Sequence, residues 1–311
     1  GSWETPLAYL NVALEHFRNN LYDGKKRIIY VKEGTVSPLC SYFSDRYLSA
    51  GIQLVSGVEV YGGYARSLAG TDRSLRNPVV YRSVIDGKVG DKEFVYHCVV
   101  FKEVSDAVLD GFHIINGDAT QTGNQSSLIK HGGGIVMVVD PQTGAVAGGT
   151  MTGNVIENCV GERGAALYAA PHEGADFSLT MSNCVINNNT STYSDAAPSA
   201  AVYFDMPGAA GNVSVNMDHQ TIVKNVGYGV YATLPGKVSL IDSWVWSNAR
   251  FDLSDCTQLK AEDVLTIENV SATYCAFDTG AGFDADGNFS TLTYNKNEAN
   301  YPVCENPTRN I

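Results

Sequence analysis

Apolar and polar positions repeat along the middle of this chain in a phrase that occurs at residues 181–189, 217–225 and 240–248. Each copy begins with an apolar residue, has a second apolar residue five positions later, and ends with an asparagine three positions after that. Looser copies begin at Leu109, Met151 and Ile267. The last two asparagines are 23 residues apart. A period of this size indicates a solenoid, because one repeat cannot bury its own apolar face and must stack on its neighbours.

Two further patterns interleave with the phrase. Tetrads that alternate small and larger apolar residues begin at Gly134, Ala166, Ala201 and Gly229, and the last three carry tyrosine at their third position. Segments in which apolar and polar residues alternate begin at Phe177, Val213, Val238 and Val264. Alternation with a period of two is typical of a strand with one buried face. Together these patterns predict a parallel β-helix whose longer repeats carry their additional residues as loops between strands.

The asparagines that end the phrase, Asn189, Asn225 and Asn248, are predicted to form a column at one corner of the coils. A buried amide without hydrogen-bond partners costs about 1–3 kcal/mol. Each side chain is therefore expected to bond to the asparagine of the next coil, roughly 4.8 Å away, and to the turn backbone. Cys159 and Cys275 take the same position in the looser copies, where a small thiol can be buried without that requirement. We interpret the column as structural.

Composition and charge restrict the classes of function. The chain has 311 residues, of which 44% are hydrophobic and 17% are charged. Its formal net charge of −12 argues against nucleic-acid binding, which needs a basic face. No apolar run approaches the ~18 residues that span a bilayer. A chain of this length often forms two domains, but solenoids escape that rule, so we interpret residues 1–311 as a single domain, expected to be a monomer.

The seven cysteines include no CxxC pair and no Cys/His cluster that would suggest zinc. Cys159, Cys184 and Cys275 lie in strand phrases and are expected to be buried thiols. The remaining cysteines lie near predicted loops or strand edges, where a disulfide stays open as an alternative; they are Cys40, Cys98, Cys256 and Cys304.

The two ends of the chain differ from the coils. Thr5 and Pro6 are typical of a helix start, and the apolar stripe that follows predicts a short amphipathic helix over residues 6–20. Such a helix would cover the open edge of the first coil. The coils are expected over residues 27–299. Residues 300–311 contain two prolines, which predicts an irregular C-terminal cap or the start of a linker.

Several segments resemble a known group of proteins. Residues 2–14, 29–35, 57–64 and 73–87 are similar to the opening of large surface-exposed β-helix proteins of Gram-negative bacteria, and residues 108–114 and 131–135 fit the same group. The tetrads and the apolar-x-x-Asn repeats resemble those of the polymorphic outer membrane proteins. This resemblance covers nearly the whole chain. It implies a pectin-lyase-like fold, which is all-β: a single-stranded right-handed parallel β-helix with a short N-terminal capping helix.

The resemblance also implies an exported protein at the cell surface, associated with the outer membrane, or in the extracellular medium. A signal peptide would then have been removed before Gly1. It implies little about activity, because such folds host both enzymes and passive stalks. The chain departs from the group in two ways: the first coils lack the asparagine, and residues 164–166 replace a strict Gly-Gly pair.

The candidate catalytic residues are His131 and Arg163. Hydrolases with this fold generally need clustered aspartates, and the chain has no Asp-Asp dipeptide. A lyase would need a Lys, Arg or His base and a group that neutralises a uronate carboxylate. Both candidates stand four residues before the apolar residue of their tetrads, so we expect them on adjacent coils, flanked by Lys130 and Glu162. The alternative interpretation is a solvated corner.

The candidate binding residues are the tyrosines of the tetrads, Tyr168, Tyr203 and Tyr231. If the preceding residue of each tetrad points inward, alternation points these side chains outward. Three aligned rings would make a flat surface on which sugar rings could stack. The alternative is that tyrosine is a habitual strand former that covers the outer face of the sheet under a loop.

Asp284, Asp286 and Asn288 resemble the start of a calcium-binding loop. An EF-hand loop would need glycine at its sixth position and glutamate at its twelfth, but Phe289 and Asn295 stand there. We therefore favour a turn that joins strands at residues 275–277 and 289–294. No metal or cofactor is predicted.

The leading functional hypothesis is a non-enzymatic, exported cell-surface module that is adhesin-like or contacts polysaccharide or a host or cell-surface glycan. The alternative is a polysaccharide lyase or glycoside hydrolase with its site on loops of the middle coils. A cleft with converging catalytic groups would favour the enzyme, and a flat face of tyrosines would favour binding.

Overall fold

The structure is a computed structural model. It describes residues 7–19, 26–38, 51–67, 75–89, 93–122, 130–139, 147–192, 198–206, 211–248, 267–277, 282–283 and 289–290. Within these ranges the chain is all-β apart from α1 (Leu10–Asn19) and a short 3-10 helix (Ala119–Thr122). No helix in this part of the chain is long and apolar enough to cross a membrane.

The strands lie in three large sheets that the chain visits in turn. Sheet 1 contains, in spatial order, β1 (Arg27–Lys32), β4 (Val58–Tyr64), β7 (Ala107–Asp110), β10 (Ala147–Thr152), β14 (Phe177–Ser182), β18 (Val213–Asp218), β21 (Val238–Ile241) and β24 (Ser271–Thr273). Sheet 2 contains β2 (Gly34–Val36), β5 (Ser83–Asp86), β8 (Phe112–Ile115), β11 (Val155–Glu157), β15 (Val185–Asn187), β19 (Thr221–Val223), β22 (Trp244–Trp246), β25 (Ala276–Phe277), β27 (Phe289–Ser290) and β26 (Gly282–Phe283).

Sheet 3 contains β3 (Ile52–Gln53), β6 (Val99–Lys102), β9 (Ile135–Val138), β13 (Leu167–Ala170), β17 (Ala200–Phe204), β20 (Tyr228–Ala232) and β23 (Ile267–Glu268). Two short strands, β12 (Val160–Gly161) and β16 (Thr190–Ser191), pair with each other between sheets 2 and 3. We call each passage through sheets 1, 2 and 3 a rung. Neighbouring strands of the three large sheets come from successive rungs and are parallel, except that β26 and β27 pair antiparallel. These stacked parallel sheets are compatible with the predicted parallel β-helix.

The apolar positions of the repeated phrase form columns in the core, as predicted. In sheet 1, Met181 pairs with Met217, and Met217 pairs with Leu240. In sheet 2, Ile186 pairs with Ile222, and Ile222 pairs with Val245. The exposed fraction of each of these side chains is 0%. Burial of the repeated apolar residues, and their alignment across parallel strands, are therefore confirmed.

The N-terminal helix is shorter than predicted. It begins at Leu10 rather than at residue 6, and residues 7–9 are not helical. Leu7, the first residue of the predicted stripe, is exposed, so no burial of its side chain favours a longer helix. Leu10 and Leu14 are buried in the main core. Helix α1 contacts β1 and β3, the first strands of sheets 1 and 3, so it packs at the predicted end of the stack.

The asparagine column is present as predicted. The amide nitrogen of Asn189 donates to the side-chain oxygen of Asn225 at 3.0 Å, and that of Asn225 donates to the side-chain oxygen of Asn248 at 2.8 Å. All three residues are buried. Cys159 shares the column, since its backbone N–H donates to Asn189 Oδ1 at 3.0 Å. Gly117 occupies the same place one rung earlier, where a Cβ would lie 1.8 Å from the carbonyl oxygen of Gly133, so no side chain fits there.

Cys275 does not belong to this column, which corrects its predicted register. Ala272 pairs with Leu240, so it takes the place of the first apolar residue of the phrase, and Ile267 pairs with Val230 in sheet 3. Cys275 therefore lies at the other corner, between sheets 1 and 2. A second column follows that corner and contains Asn154, Cys184, Gln220, Ser243 and Cys275, all of them buried.

The remaining sequence predictions concern the cysteines, the turn before Phe289 and the C-terminal residues. The predicted buried thiols Cys159, Cys184 and Cys275 are confirmed, and burial raises the pKa of Cys184 to about 12. Cys98, for which a disulfide was the open alternative, is also a buried free thiol. The predicted turn does not make 275–277 and 289–294 a hairpin, because β25 pairs with β27 in parallel and the antiparallel partner of β27 is β26. The remaining predictions concern residues outside the described part of the chain, namely Cys40, Cys256, Cys304, Asp284, Asp286, Asn288 and residues 300–311.

Candidate functional site

The tyrosines of the tetrads are aligned on the outer face of sheet 3. Tyr168 pairs with Tyr203, and Tyr203 pairs with Tyr231. Their rings stack, with centroids 5.8 Å apart for the first pair and 4.9 Å for the second. With Val100 and Val136 they belong to an apolar cluster separate from the main core. Alternation therefore predicted the direction of these side chains correctly.

Much of this tyrosine row is covered. Tyr168 and Tyr203 are each 2% exposed, whereas Tyr231 and its neighbour Tyr228 are partly exposed. The ring centroids of Tyr228 and Tyr231 are 5.7 Å apart, with the planes tilted by 56°. A flat surface of three accessible rings is thus not present, and the alternative of a covered outer face describes Tyr168 and Tyr203. A sugar ring could reach only the end of the row formed by Tyr228 and Tyr231.

His131 and Arg163 lie on adjacent rungs, as their spacing predicts. The backbone N–H of Gly132 donates to the carbonyl of Arg163 at 3.1 Å, and that of Glu162 donates to the carbonyl of Lys130 at 2.7 Å. The flanking side chains form an ion pair, with Lys130 Nζ 3.4 Å from Glu162 Oε1. Parallel pairing of the segments that precede β9 and β13 is what brings these residues together.

The catalytic and binding candidates meet in a single group of side chains. The His131 ring lies 4.6 Å from the Tyr168 ring, centroid to centroid. The guanidinium carbon of Arg163 lies 5.4 Å from the centroid of the Tyr203 ring, a cation–π distance. Tyr168 Oη donates to Asp205 Oδ2 at 2.7 Å. We call His131, Arg163, Tyr168, Tyr203 and Asp205 the sheet 3 cluster.

Burial controls the protonation of the cluster. His131 is 5% exposed, and burial, together with the nearby Arg163 cation, lowers its pKa to about 4. His97, which is 1% exposed, also has its pKa lowered to about 4 by burial. Both imidazoles are therefore neutral at pH 7. Burial and the adjacent Asp205 carboxylate raise the pKa of Tyr168 well above its usual range, so its hydroxyl stays protonated.

Two imidazole nitrogens of this region have no hydrogen-bond partner in the described part of the chain. They are His131 Nδ1 and His97 Nε2, and both atoms are buried. His97 Nδ1 lies 2.9 Å from the carbonyl oxygen of Gly132, which fixes its proton on Nδ1 and leaves a lone pair on Nε2. A neutral imidazole beside a guanidinium could serve as a base next to an anion-binding group. The interpretation as a solvated corner does not describe His131, which is enclosed, but Arg163 and the flanking Lys130 and Glu162 are partly exposed.

Sequence reasoning missed His97 and Asp205. Asp205 directly follows the tetrad at residues 201–204, so its place at the end of β17 was the available signal. His97 stands two residues before β6 and has no counterpart among the repeated patterns. Its proximity to His131 depends on the pairing of β6 with β9.

A second, open surface lies on the outer face of sheet 1. Ser178, Thr180, Ser214 and Asn216 are exposed there, on the paired strands β14 and β18. A shallow groove at the start of these strands is lined by Asp176, Phe177, Ser178, Asn212, Val213, Ser214 and Lys237. On β14 and β18 this face is polar, whereas on β1 and β4 of the same sheet the partly exposed rings of Tyr30 and Tyr61 stack with centroids 6.3 Å apart.

The chain matches no protein-family model, and comparisons with curated proteins and with solved structures find no match. Over the residues that it describes, the structure defines an all-β protein of stacked parallel sheets with one α-helix near the N-terminus.

Proposed function

We propose that this chain is a right-handed parallel β-helix that acts as a non-enzymatic module, exported to the surface of a Gram-negative cell or beyond it. The order of strands supports the β-helix, since each large sheet receives its strands from successive rungs. A right-handed path is expected because crossovers between parallel strands are right-handed in nearly all proteins. The pectin-lyase-like family and the surface location rest on the resemblance of segments such as residues 57–64 and 131–135.

The proposed activity of the module is contact with glycan at the open end of the tyrosine row. The observation that carries this proposal is the pair of partly exposed rings, Tyr228 and Tyr231, backed by the buried Tyr203 ring at 4.9 Å from Tyr231. Strand pairing and stacking hold these rings in place, so binding a sugar would cost little side-chain entropy. Tyrosine also offers a hydroxyl beside an apolar ring, which suits the mixed surface of a sugar.

The burial of the sheet 3 cluster supports a module without catalysis. A polysaccharide chain needs an open cleft to bring its scissile bond within about 3 Å of a base. His131 and Tyr168 are only 5% and 2% exposed, so a polymer cannot reach them in this conformation.

A polysaccharide lyase is the second candidate, and the composition of the cluster favours it. His131 would be the neutral base, and the Arg163 guanidinium would neutralise a uronate carboxylate. Tyr168 would keep its proton in such a site. This candidate requires the cluster to open, since His131 and Tyr168 are enclosed.

One experiment separates the two functions. The full chain is tested against a panel of neutral and acidic polysaccharides by affinity electrophoresis, and each mixture is also assayed for cleavage through the absorbance of unsaturated products. We expect binding without cleavage, and we expect Tyr231→Ala to weaken it by about tenfold or more, as a central aromatic contact would. Tyr274→Asn is the matched control, because it removes an exposed tyrosine in another part of the molecule.

Equal binding by Tyr231→Ala and the parent chain would refute the tyrosine contact. Cleavage that disappears in His131→Gln would instead establish the lyase. Binding that survives Tyr231→Ala but is lost in Ser214→Arg would move the contact to the open face of sheet 1.

A further inference from the structure

Three side chains with metal-ligating atoms meet at the corner between sheets 1 and 2. They are Asp218, His219 and Asp242, and one ligand atom of each lies within 4.8 Å of those of the other two. Asp218 and His219 are partly exposed and Asp242 is exposed. This corner is separate from the sheet 3 cluster, and neither the glycan contact nor the lyase makes use of it.

The convergence follows from strand register. Asp218 pairs with Ile241, so His219 and Asp242 occupy the same position in successive rungs. The backbone N–H of His219 donates to Ile241 O at 3.0 Å, and that of Asp242 donates to Thr273 O at 3.1 Å. The parallel ladder therefore sets the distance between the two side chains, which lie 23 residues apart in the chain.

The donor set suits a transition metal. His219 Nδ1 lies 2.7 Å from Asp218 Oδ1. This is a hydrogen-bond distance; two ligands about 2.1 Å from a tetrahedral zinc ion lie roughly 3.4 Å apart, so the ion would replace this hydrogen bond after a shift of less than about 1 Å. An imidazole favours Zn²⁺, Ni²⁺ or Co²⁺ over Ca²⁺ and Mg²⁺, which prefer oxygen ligands alone. The exposed side leaves room for water to complete the coordination shell.

Charge favours a cation at this corner. Two carboxylates stand close together on a chain whose formal net charge is −12, so a divalent ion would offset their mutual repulsion. A purely conformational explanation also exists, since His219 and Asp242 have positive φ angles of 53° and 47°, a region that His and Asp enter more readily than most residues. The positive φ angles account for a histidine at position 219 and an aspartate at position 242. They do not account for the carboxylate of Asp218 beside these two residues.

We propose that Asp218, His219 and Asp242 form a site for a divalent transition-metal ion of the Zn²⁺ type. The proposal is independent of the glycan contact. Its binding step exchanges water on the ion for two carboxylate oxygens and one imidazole nitrogen and involves no redox change.

The test is calorimetric titration of the full chain, freed of metal by chelation, with Zn²⁺ and separately with Ca²⁺. We expect one Zn²⁺ ion per chain, bound at least about tenfold more tightly than Ca²⁺. His219→Asn and Asp242→Asn should each weaken Zn²⁺ binding by about tenfold or more, since an imidazole or a charged carboxylate is replaced by a neutral amide oxygen, a poorer ligand for zinc. Asparagine preserves the backbone there, because Asn183 adopts the same positive φ at the equivalent position one rung earlier.

His172→Asn is the control, since it removes an exposed histidine outside the corner. A second readout is quenching of tryptophan fluorescence by Co²⁺, because Trp244 stands two residues after Asp242. Asp218→Asn provides a third variant if one of the others unfolds. Zn²⁺ binding that is equally tight in the parent chain, His219→Asn and Asp242→Asn would overturn the proposal. Ca²⁺ binding as tight as Zn²⁺ binding would overturn the choice of metal.

Discussion

Replacing Asn225 by alanine tests what holds successive rungs together at the corner between sheets 2 and 3. The Asn225 amide nitrogen donates to the carbonyl of Ile186 at 3.0 Å and to Asn248 Oδ1 at 2.8 Å. Its side-chain oxygen accepts from the backbone N–H of Asn189 at 3.0 Å. The three asparagines are 0–2% exposed, so water cannot take over these hydrogen bonds without a local opening.

The expected loss of stability follows from the groups left behind. In Asn225→Ala, the backbone N–H of Asn189 and the carbonyl of Ile186 both lose their hydrogen bond to the Asn225 side chain, at a position that water cannot reach. Each buried polar group left unsatisfied costs about 1–3 kcal/mol, so with two such groups the free energy of unfolding should fall by about 2–6 kcal/mol. Equilibrium urea unfolding, followed by fluorescence, measures this difference.

Asn216→Ala is the matched control. Asn216 is exposed on the outer face of sheet 1, and its side-chain amide makes a single long contact of 3.4 Å with Ser214 Oγ. Its replacement should change the free energy of unfolding by no more than about 0.5 kcal/mol. If Asn225→Ala costs less than about 1 kcal/mol, or if both variants lose the same amount, the asparagine column does not carry the stability assigned to it.

Three further predictions concern the core, the pH dependence and the sheet 3 cluster. Ile222→Ala should lower the free energy of unfolding by about 2–5 kcal/mol through loss of buried methylenes, and an unchanged urea midpoint would contradict the aligned core. Because the pKa values of His97 and His131 fall from 6.5 to about 4 on folding, the unfolded chain binds more protons between these values. The free energy of unfolding should therefore decrease as the pH falls from about 6.5 towards 4, and His97 alone should contribute a loss on the order of 3 kcal/mol. Urea unfolding midpoints measured across that pH interval would check this. Tyr168→Phe should cost about 1.5–3 kcal/mol by removing the hydrogen bond to Asp205, and a melting temperature equal to that of the parent chain would argue against it.

The amino-acid sequence determined the architecture to a large extent. Apolar residues such as Met181 and Ile186 stand five positions apart in each copy of the phrase, because every rung must bury the same two positions. This spacing lies within one short segment, so it can be read from the sequence. The asparagine column was visible for the same reason. Alternation within the tetrads also placed Tyr168 and Tyr203 on the outer face of sheet 3. The spacing before the tetrads placed His131 and Arg163 on adjacent rungs.

The tertiary structure alone decided which residues share a corner when their chemistry differs. Asn154, Cys184, Gln220, Ser243 and Cys275 form one column with four different side-chain types, so no single residue type repeated at a regular interval to reveal it. The register of the last repeat failed for a related reason. A pattern of alternating apolar and polar residues predicts a strand but does not indicate which of the three sheets the strand joins. The strand that contains Ile267 is therefore predicted to lie in sheet 1, whereas it pairs in sheet 3.

Exposure of the candidate sites was likewise a tertiary property. Alternation states on which face Tyr168 lies, but not what covers that face, and the 2% exposure of its side chain depends on residues distant in sequence. Asp205 reaches Tyr168 across 37 residues, and Asp242 reaches His219 across 23, because parallel pairing sets neighbouring rungs side by side. The periodic sequence determined which positions face the core, since that choice repeats in every rung. The contacts between unlike side chains on different rungs occur once each, and only the folded chain brings them together.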